Sequence, residues 1–177
     1  PEDFELMSRY GRGLDWPFGY DELRPFYDQV QTDVGMSGDA KQEVWRPAGA
    51  DYPLPPVLVS KHGQVLARGF EKLGKRVAPI PMAVLSQPYN GRPGCIWDGW
   101  CDAGCPTGAL ANPLVVYLPR AQKAGARMQA NAHVTRVLTD STGKRATGVE
   151  YVNAKGEKIT QPADAVVLCA FTVENSR

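Results

Sequence analysis

This sequence lacks, first of all, an excess of charge of either sign. Its 177 residues carry 20 lysines and arginines against 19 acidic residues, and neither sign gathers into a block. A balanced chain without a basic run is a poor match for nucleic acid or an acidic lipid surface, so neither is expected as a partner. Long apolar runs are missing as well. The longest, 114–118 and 165–171, fall far short of the roughly 20 residues a membrane-spanning helix needs. No secretory-signal pattern opens the chain. It begins at Pro1 and ends at Arg177, one turn into an expected helix, and so reads as an excerpt. Evenly spread cysteines are absent too: three of the four are bunched and Cys169 stands alone, which is not a disulfide framework.

The composition that remains is that of an ordinary globular chain, 43% hydrophobic and 22% charged. The 18 glycines and 15 prolines predict much irregular structure. An aromatic turn, Asp15-Trp16-Pro17-Phe18-Gly19, leads to a helix expected from Glu22 to Val34, with Asp21 as N-cap and Gly35 as the stop. Its apolar positions, Leu23, Phe26, Tyr27 and Val30, read as core packing. Residues 36–56 have no sustained period and read as a long loop. A second helix is expected after Ser60, with Val65, Leu66, Phe70 and Leu73 on one face and Gly74 at its end. His62 in its first turn reads as a surface or capping residue. Val77–Leu85 has strand character, but Pro79 and Pro81 reduce it to an edge or an extended segment.

Further on, Asn112-Pro113 marks a helix start, with Leu114, Leu118 and Ala121 as its apolar stripe and Gly125 as its end. Strands are expected over 132–139, 146–152 and 157–160, joined by polar turns. Residues 163–170 are apolar without alternation, as in a parallel strand buried on both faces, and Cys169 within it reads as a small buried hydrophobe. A parallel strand running into a helix, here at Thr172, is where nucleotide phosphates often bind.

The distinctive stretch is Gly94 to Gly108. Cys95, Cys101 and Cys105 stand at C-x5-C-x3-C spacing with glycines before, between and after them. Three soft sulfurs on a tightly bending loop suit an iron–sulfur cluster or zinc. Zinc wants four ligands, so His62, His133 or Cys169 would have to complete it. A Cys101–Cys105 disulfide would leave Cys95 unpaired. A three-iron cluster needs one ligand fewer than a four-iron cubane, which matches three local thiols. Trp97 and Trp100 read either as an apolar shell around such a cluster or as packing for the loop. From spacing alone the cluster, zinc and purely structural cysteines all stay open.

Taken together, several segments resemble the glucose–methanol–choline (GMC) flavoprotein oxidoreductases. These are Asp15-Trp16-Pro17 with Tyr20-Asp21-Glu22-Leu23 and Phe26-Tyr27, then Val34-Gly35-Met36-Ser37-Gly38. The later ones are Tyr117-Leu118-Pro119-Arg120-Ala121, Ala132-His133-Val134-Thr135-Arg136-Val137, Ala146-Thr147-Gly148-Val149 and 165–170. The cysteine spacing is similar to that of the bacterial flavin-dependent sugar, polyol and aldonate dehydrogenases of that family.

The resemblance implies an α/β fold with α+β elements: part of an FAD-binding Rossmann-like domain, incomplete, with a loop-rich insertion. Residues 1–90 would border the substrate domain, 91–110 would form the cluster loop, and 111–177 would belong to the FAD domain. It implies oxidation of a CH–OH group of a sugar, polyol or aldonate. Electrons would leave FAD through a 3Fe-4S cluster held by Cys95, Cys101 and Cys105, toward a cytochrome c subunit. The backbone at Val134 would meet the flavin's adenine, and Ala170 its pyrophosphate or ribose. A small chaperone-like subunit and a periplasmic, membrane-associated location follow by the same resemblance.

Two family features are absent from this stretch: the G-x-G-x-x-G fingerprint and the late catalytic histidine with its partner. No catalytic acid–base residue is therefore assigned, and this piece alone is expected to be inactive. Two other readings are a stand-alone iron–sulfur electron-transfer module and a zinc-stapled binding domain.

Overall fold

The computed structural model describes residues 1–176. Helices and an antiparallel sheet fall into two compact units, Pro1–Ala124 and the remainder from Gly125 onward.

The first unit opens with a short 3₁₀ turn, Glu2–Glu5, and helix α1, Leu6–Tyr10. The expected aromatic turn is a cluster of rings. Phe4 lies 6.1 Å from Trp16 and 6.0 Å from Phe18, with Trp16 and Phe18 5.6 Å apart. Tilted pairs at these separations are the favoured geometry for aromatic quadrupoles.

Helix α2 runs Tyr20–Val34, two residues earlier than its sequence suggests. Gly19, not Asp21, precedes it, because Glu22 reaches back and accepts the Gly19 N–H at 3.0 Å, the carboxylate half of a capping box. Gly35 ends it in the left-handed conformation at φ 76°. The expectation that its aromatics are core is corrected: Phe26, Tyr27 and Val30 are exposed, and the buried residue of the helix is Arg24.

Arg24 explains how the 36–56 loop is held. Its Nη1 donates to the Pro47 carbonyl at 3.1 Å and to the Tyr20 hydroxyl at 3.0 Å, while its Nη2 faces Asp28 Oδ1 at 3.0 Å. Arg46 approaches from the loop side, donating to Gln31 Oε1 at 3.0 Å and to the Ala50 carbonyl at 2.7 Å. Its guanidinium lies 4.4 Å from the centre of the Tyr52 ring. The loop is thus fastened to α2 by charge-assisted bonds rather than by apolar packing.

The core of this unit is small: Leu54, Leu85 and Ala109, with Tyr89, Cys95 and Cys105 packed against it. Four irregular segments pair around it. Ser37 bridges Leu54 in parallel and Met82 antiparallel, and Val84 bridges Leu110. Ser37 is fully buried; its hydroxyl donates to the Val84 carbonyl at 2.6 Å and accepts the Ser86 N–H at 3.1 Å.

Helix α3, Lys61–Lys72, is capped by Ser60, whose hydroxyl accepts the Gly63 N–H at 3.1 Å. Its apolar face is present as a face, yet Val65, Leu66, Phe70 and Leu73 are all exposed. Helix α4, Pro113–Lys123, is capped by Asn112, which accepts the Val115 N–H at 3.3 Å. Val116 is its buried residue and Leu114 is exposed, which shifts the expected stripe. Arg120 of α4 pairs with Asp33 of α2 at 2.6 Å.

In the second unit β1 (His133–Thr139), β2 (Ala146–Val152) and β3 (Lys158–Pro162) form an antiparallel meander in that order. Asp140 and Asn153 start its two turns, each accepting backbone N–H groups two residues on, at 3.0 and 2.9 Å. The continuous apolar segment 163–170 is not a strand, which corrects that expectation. Ala163 donates its N–H to the Thr147 carbonyl of β2 at 3.0 Å, but past it no strand among the described residues pairs with the segment, and an extended segment without a neighbour has no ladder to join. Cys169 is accordingly exposed rather than buried. The helix expected at Thr172 is a single turn, α5, Thr172–Asn175.

Candidate functional site

The cysteine stretch is built on the backbone of Leu85. The Leu85 N–H donates to the Ala109 carbonyl at 3.1 Å, and its own carbonyl accepts the Cys95 N–H at 2.8 Å. One buried residue therefore holds the entrance of the stretch and the segment just past its exit. Between Leu85 and Cys95 the chain reverses at Tyr89-Asn90-Gly91-Arg92. Tyr89 and Arg92 exchange both backbone bonds at 3.0 Å, and Asn90 and Gly91 take φ 47° and 76°. Asn-Gly is the dipeptide that tolerates positive φ at both central positions of a two-residue hairpin turn.

Cys95 and Cys105 are half-buried against the core; Cys101 is exposed in the turn between them. Cys95 Sγ accepts the Trp97 N–H at 3.4 Å. Cys105 Sγ accepts the Leu110 N–H at 3.5 Å and lies 3.5 Å from Thr107 Oγ1. Thr107 Oγ1 already accepts the Ala109 N–H at 3.3 Å, so its proton is free to point at the sulfur. The Leu110 N–H first, and the Thr107 hydroxyl second, draw the Cys105 thiol down to about 7. Trp97 and Trp100 are 55% and 62% exposed, so neither packs the stretch down.

Thiols that receive N–H donors, one of them drawn toward the thiolate, are the donor set an iron–sulfur cluster takes. The fit is one of chemistry. Two sulfurs rest on a common base, and the third rides on a turn flanked by Gly99 and Gly104, at φ 75° and 110°. Among the described residues no three metal-ligating side chains are gathered into one group.

Val134 and Ala170 both lie in the second unit. Val134 is 48% exposed on β1, which among the described residues pairs only with β2 and so is an edge strand. Backbone groups that face away from β2 have no sheet partner among the described residues. Ala170 is exposed, and its N–H donates to Asn175 Oδ1 at 3.1 Å. Asn175 thereby ties down the segment before α5. His62 and His133 are both exposed, one on α3 and one on β1.

Arg24 and Arg92 shape the unit and belong to no quoted motif, whereas Ser37 lies in the Val34–Gly38 segment.

Comparison with known proteins agrees with this architecture. The family model for GMC oxidoreductase matches residues 12–177. The chain is 30% identical over its full length to the fructose dehydrogenase large subunit of Gluconobacter japonicus, covering 32% of that protein. It is 32% identical over 99% of its length to the gluconate 2-dehydrogenase flavoprotein of Pantoea cypripedii, covering 34% of it. A 2-methyl-1,2-propanediol dehydrogenase of Mycolicibacterium austroafricanum is 32% identical over the whole chain, 32% of that enzyme being covered.

The fold class is thus the mixed helix-and-sheet architecture of a flavin-binding domain, present in part. The chain belongs to the GMC oxidoreductase family. It spans about a third of the length of the curated relatives it matches.

Proposed function

We propose that the protein containing this chain is an FAD-dependent dehydrogenase. It oxidises a CH–OH group of a sugar, polyol or aldonate and passes the electrons through a 3Fe-4S cluster to a cytochrome-type acceptor. The observation that carries this reading is the C-x5-C-x3-C stretch seated on the core of a GMC chain. Relatives named as fructose, gluconate and 2-methyl-1,2-propanediol dehydrogenases support the substrate class.

Oxidation of an alcohol to a carbonyl releases two electrons and two protons, and bound FAD supplies the acceptor for a hydride. The residues described here do the holding. The open edge of β1 at Val134 and the exposed backbone at Ala170 receive the dinucleotide. Cys95, Cys101 and Cys105 supply three thiolates for the cluster. The N–H groups of Trp97 and Leu110 and the hydroxyl of Thr107 offset negative charge on two of those sulfurs. A cluster matters because a cytochrome takes electrons singly, whereas the alcohol yields a pair.

The same reading places the protein at the periplasmic face of a membrane, with a small chaperone-like subunit and a cytochrome c subunit. Among the described residues no helix is long and apolar enough to cross a membrane. Full-length protein purified anaerobically should show flavin absorbance together with the electron-spin signal of an oxidised three-iron cluster. Single serine substitutions at Cys95, Cys101 and Cys105 should each remove iron and leave flavin in place. Colourless protein with one zinc per chain refutes the cluster; iron without flavin points to an electron-transfer module instead.

A further inference from the structure

Arg92 stands three residues before Cys95, and its guanidinium Nη1 donates at 3.3 Å to the carbonyl of Gly108, three residues after Cys105. Its Nη2 donates to the carbonyl of Val34, in the last turn of α2, where carbonyls have no intrahelical partner. One half-buried side chain therefore joins three backbones: the approach to the cysteines, the exit from them, and the end of α2. The Tyr89–Arg92 reversal delivers it there, since the two backbone bonds of that turn fix where residue 92 points.

The Arg92 guanidinium donates to two backbone carbonyls, whereas neighbouring Arg120 is paired with Asp33 at 2.6 Å. Burial first, and the charge of Arg120 second, work against the Arg92 charge. A forked donor that reaches two carbonyls at once is what a guanidinium offers and a lysine ammonium does not.

We propose that Arg92 is the positioning residue of the cysteine site, the clasp that holds the two ends of the stretch together on α2 so that Cys95 and Cys105 share one base. This rests on the cluster reading for its purpose but not for its geometry. The test uses full-length protein carrying Arg92→Lys or Arg92→Met, alongside wild type.

In the first arm, iron per flavin and resistance of the iron to EDTA are followed. Both variants should keep one flavin per chain, lose iron to the chelator at least tenfold faster, and give a broadened cluster spin signal with an unchanged flavin spectrum. Lysine should fail to rescue, because it keeps the charge and loses the fork. In the second arm, metal-free protein is labelled with a thiol-reactive mass tag at a pH where every thiol is ionised. Labelling of Cys95 and Cys105 should quicken at least tenfold in the variants, while that of exposed Cys101 and Cys169 should not change.

Wild-type iron retention and wild-type labelling in both variants overturn the proposal. So does loss of flavin in step with iron, which would make the arginine a support of the fold at large. Full rescue by lysine overturns the clasp in favour of charge alone. If wild type holds no iron, the cluster reading fails and the labelling arm alone decides on Arg92.

Discussion

Ser37→Ala removes a single oxygen from the most enclosed polar site in the first unit. Ser37 has no exposed surface, and its hydroxyl serves two backbone groups at once, the Val84 carbonyl at 2.6 Å and the Ser86 N–H at 3.1 Å. Alanine fills nearly the same volume, so the loss is of hydrogen bonds and not of packing. An unsatisfied buried partner costs about 1–3 kcal/mol. The Val84 carbonyl belongs to a buried residue and bears the larger share; Ser86 is half-buried and recovers part of its loss from water. The expected total is about 2–4 kcal/mol.

The location gives the perturbation a second readout. Val84 adjoins Leu85, whose carbonyl holds the Cys95 N–H, so iron retention should weaken along with stability. Urea unfolding of full-length protein followed by circular dichroism, with the slope unchanged, measures the first effect. Ser37→Cys, which keeps a weak donor of similar size, should fall between wild type and alanine. An alanine variant within about 0.5 kcal/mol of wild type, the range of an ordinary surface change, refutes the reasoning.

Gly49→Ala would place a Cβ 1.3 Å from Arg24 Nη2, forcing the buried guanidinium off Pro47 and Asp28. A loss of about 2–4 kcal/mol is expected by thermal melting, and an unchanged melt would mean the 47–50 loop moves instead. Burial first, and the hydrogen bond to Glu43 second, push Tyr52 up to about 12. Its neutral form is favoured on folding, so the associated stability is complete below pH ~10 and fades as pH rises toward 12. Ultraviolet titration should show a late tyrosinate step that Tyr52→Phe removes and Glu43→Gln moves earlier. Although burial opposes it, the hydrogen bond from Arg24 helps hold the Asp28 carboxyl below its usual range. That contribution is present above pH ~4 and lost on acidification, so Asp28→Asn should flatten the acid limb of the stability profile.

What could be read beforehand was what neighbours in sequence decide. Ser60 and Asn112 sit one residue before their helices and cap them through side chains three residues from the N–H they accept. Asp140 and Asn153 fold their turns back on themselves in the same local way. The segment 163–170 departs from its expected strand for the opposite reason: an apolar run says that a strand could be covered, but only a paired neighbour makes it one. The exposed rows on α2 and α3 repeat the point, since periodicity marks a face and not what lies against it. Arg24 was hidden because nothing local announces a guanidinium lying against the backbone of Gly49, a residue 25 positions away. At the cysteine stretch, spacing revealed the sulfurs. The base under them, Leu85 with Ala109, depends on long-range pairing that spacing does not encode.

That base bears on how variable the stretch can be. Because Leu85 grips both Cys95 and Ala109, the chain between them is a loop whose ends are closed by the folding of the core. The entropy of closing a loop grows only logarithmically with its length, by about 0.6 kcal/mol per doubling for a flexible one. Residues 96–104 could therefore lengthen, shorten or lose Cys101 with little strain on the platform beneath. Evolution could add or discard the site without redesigning the domain.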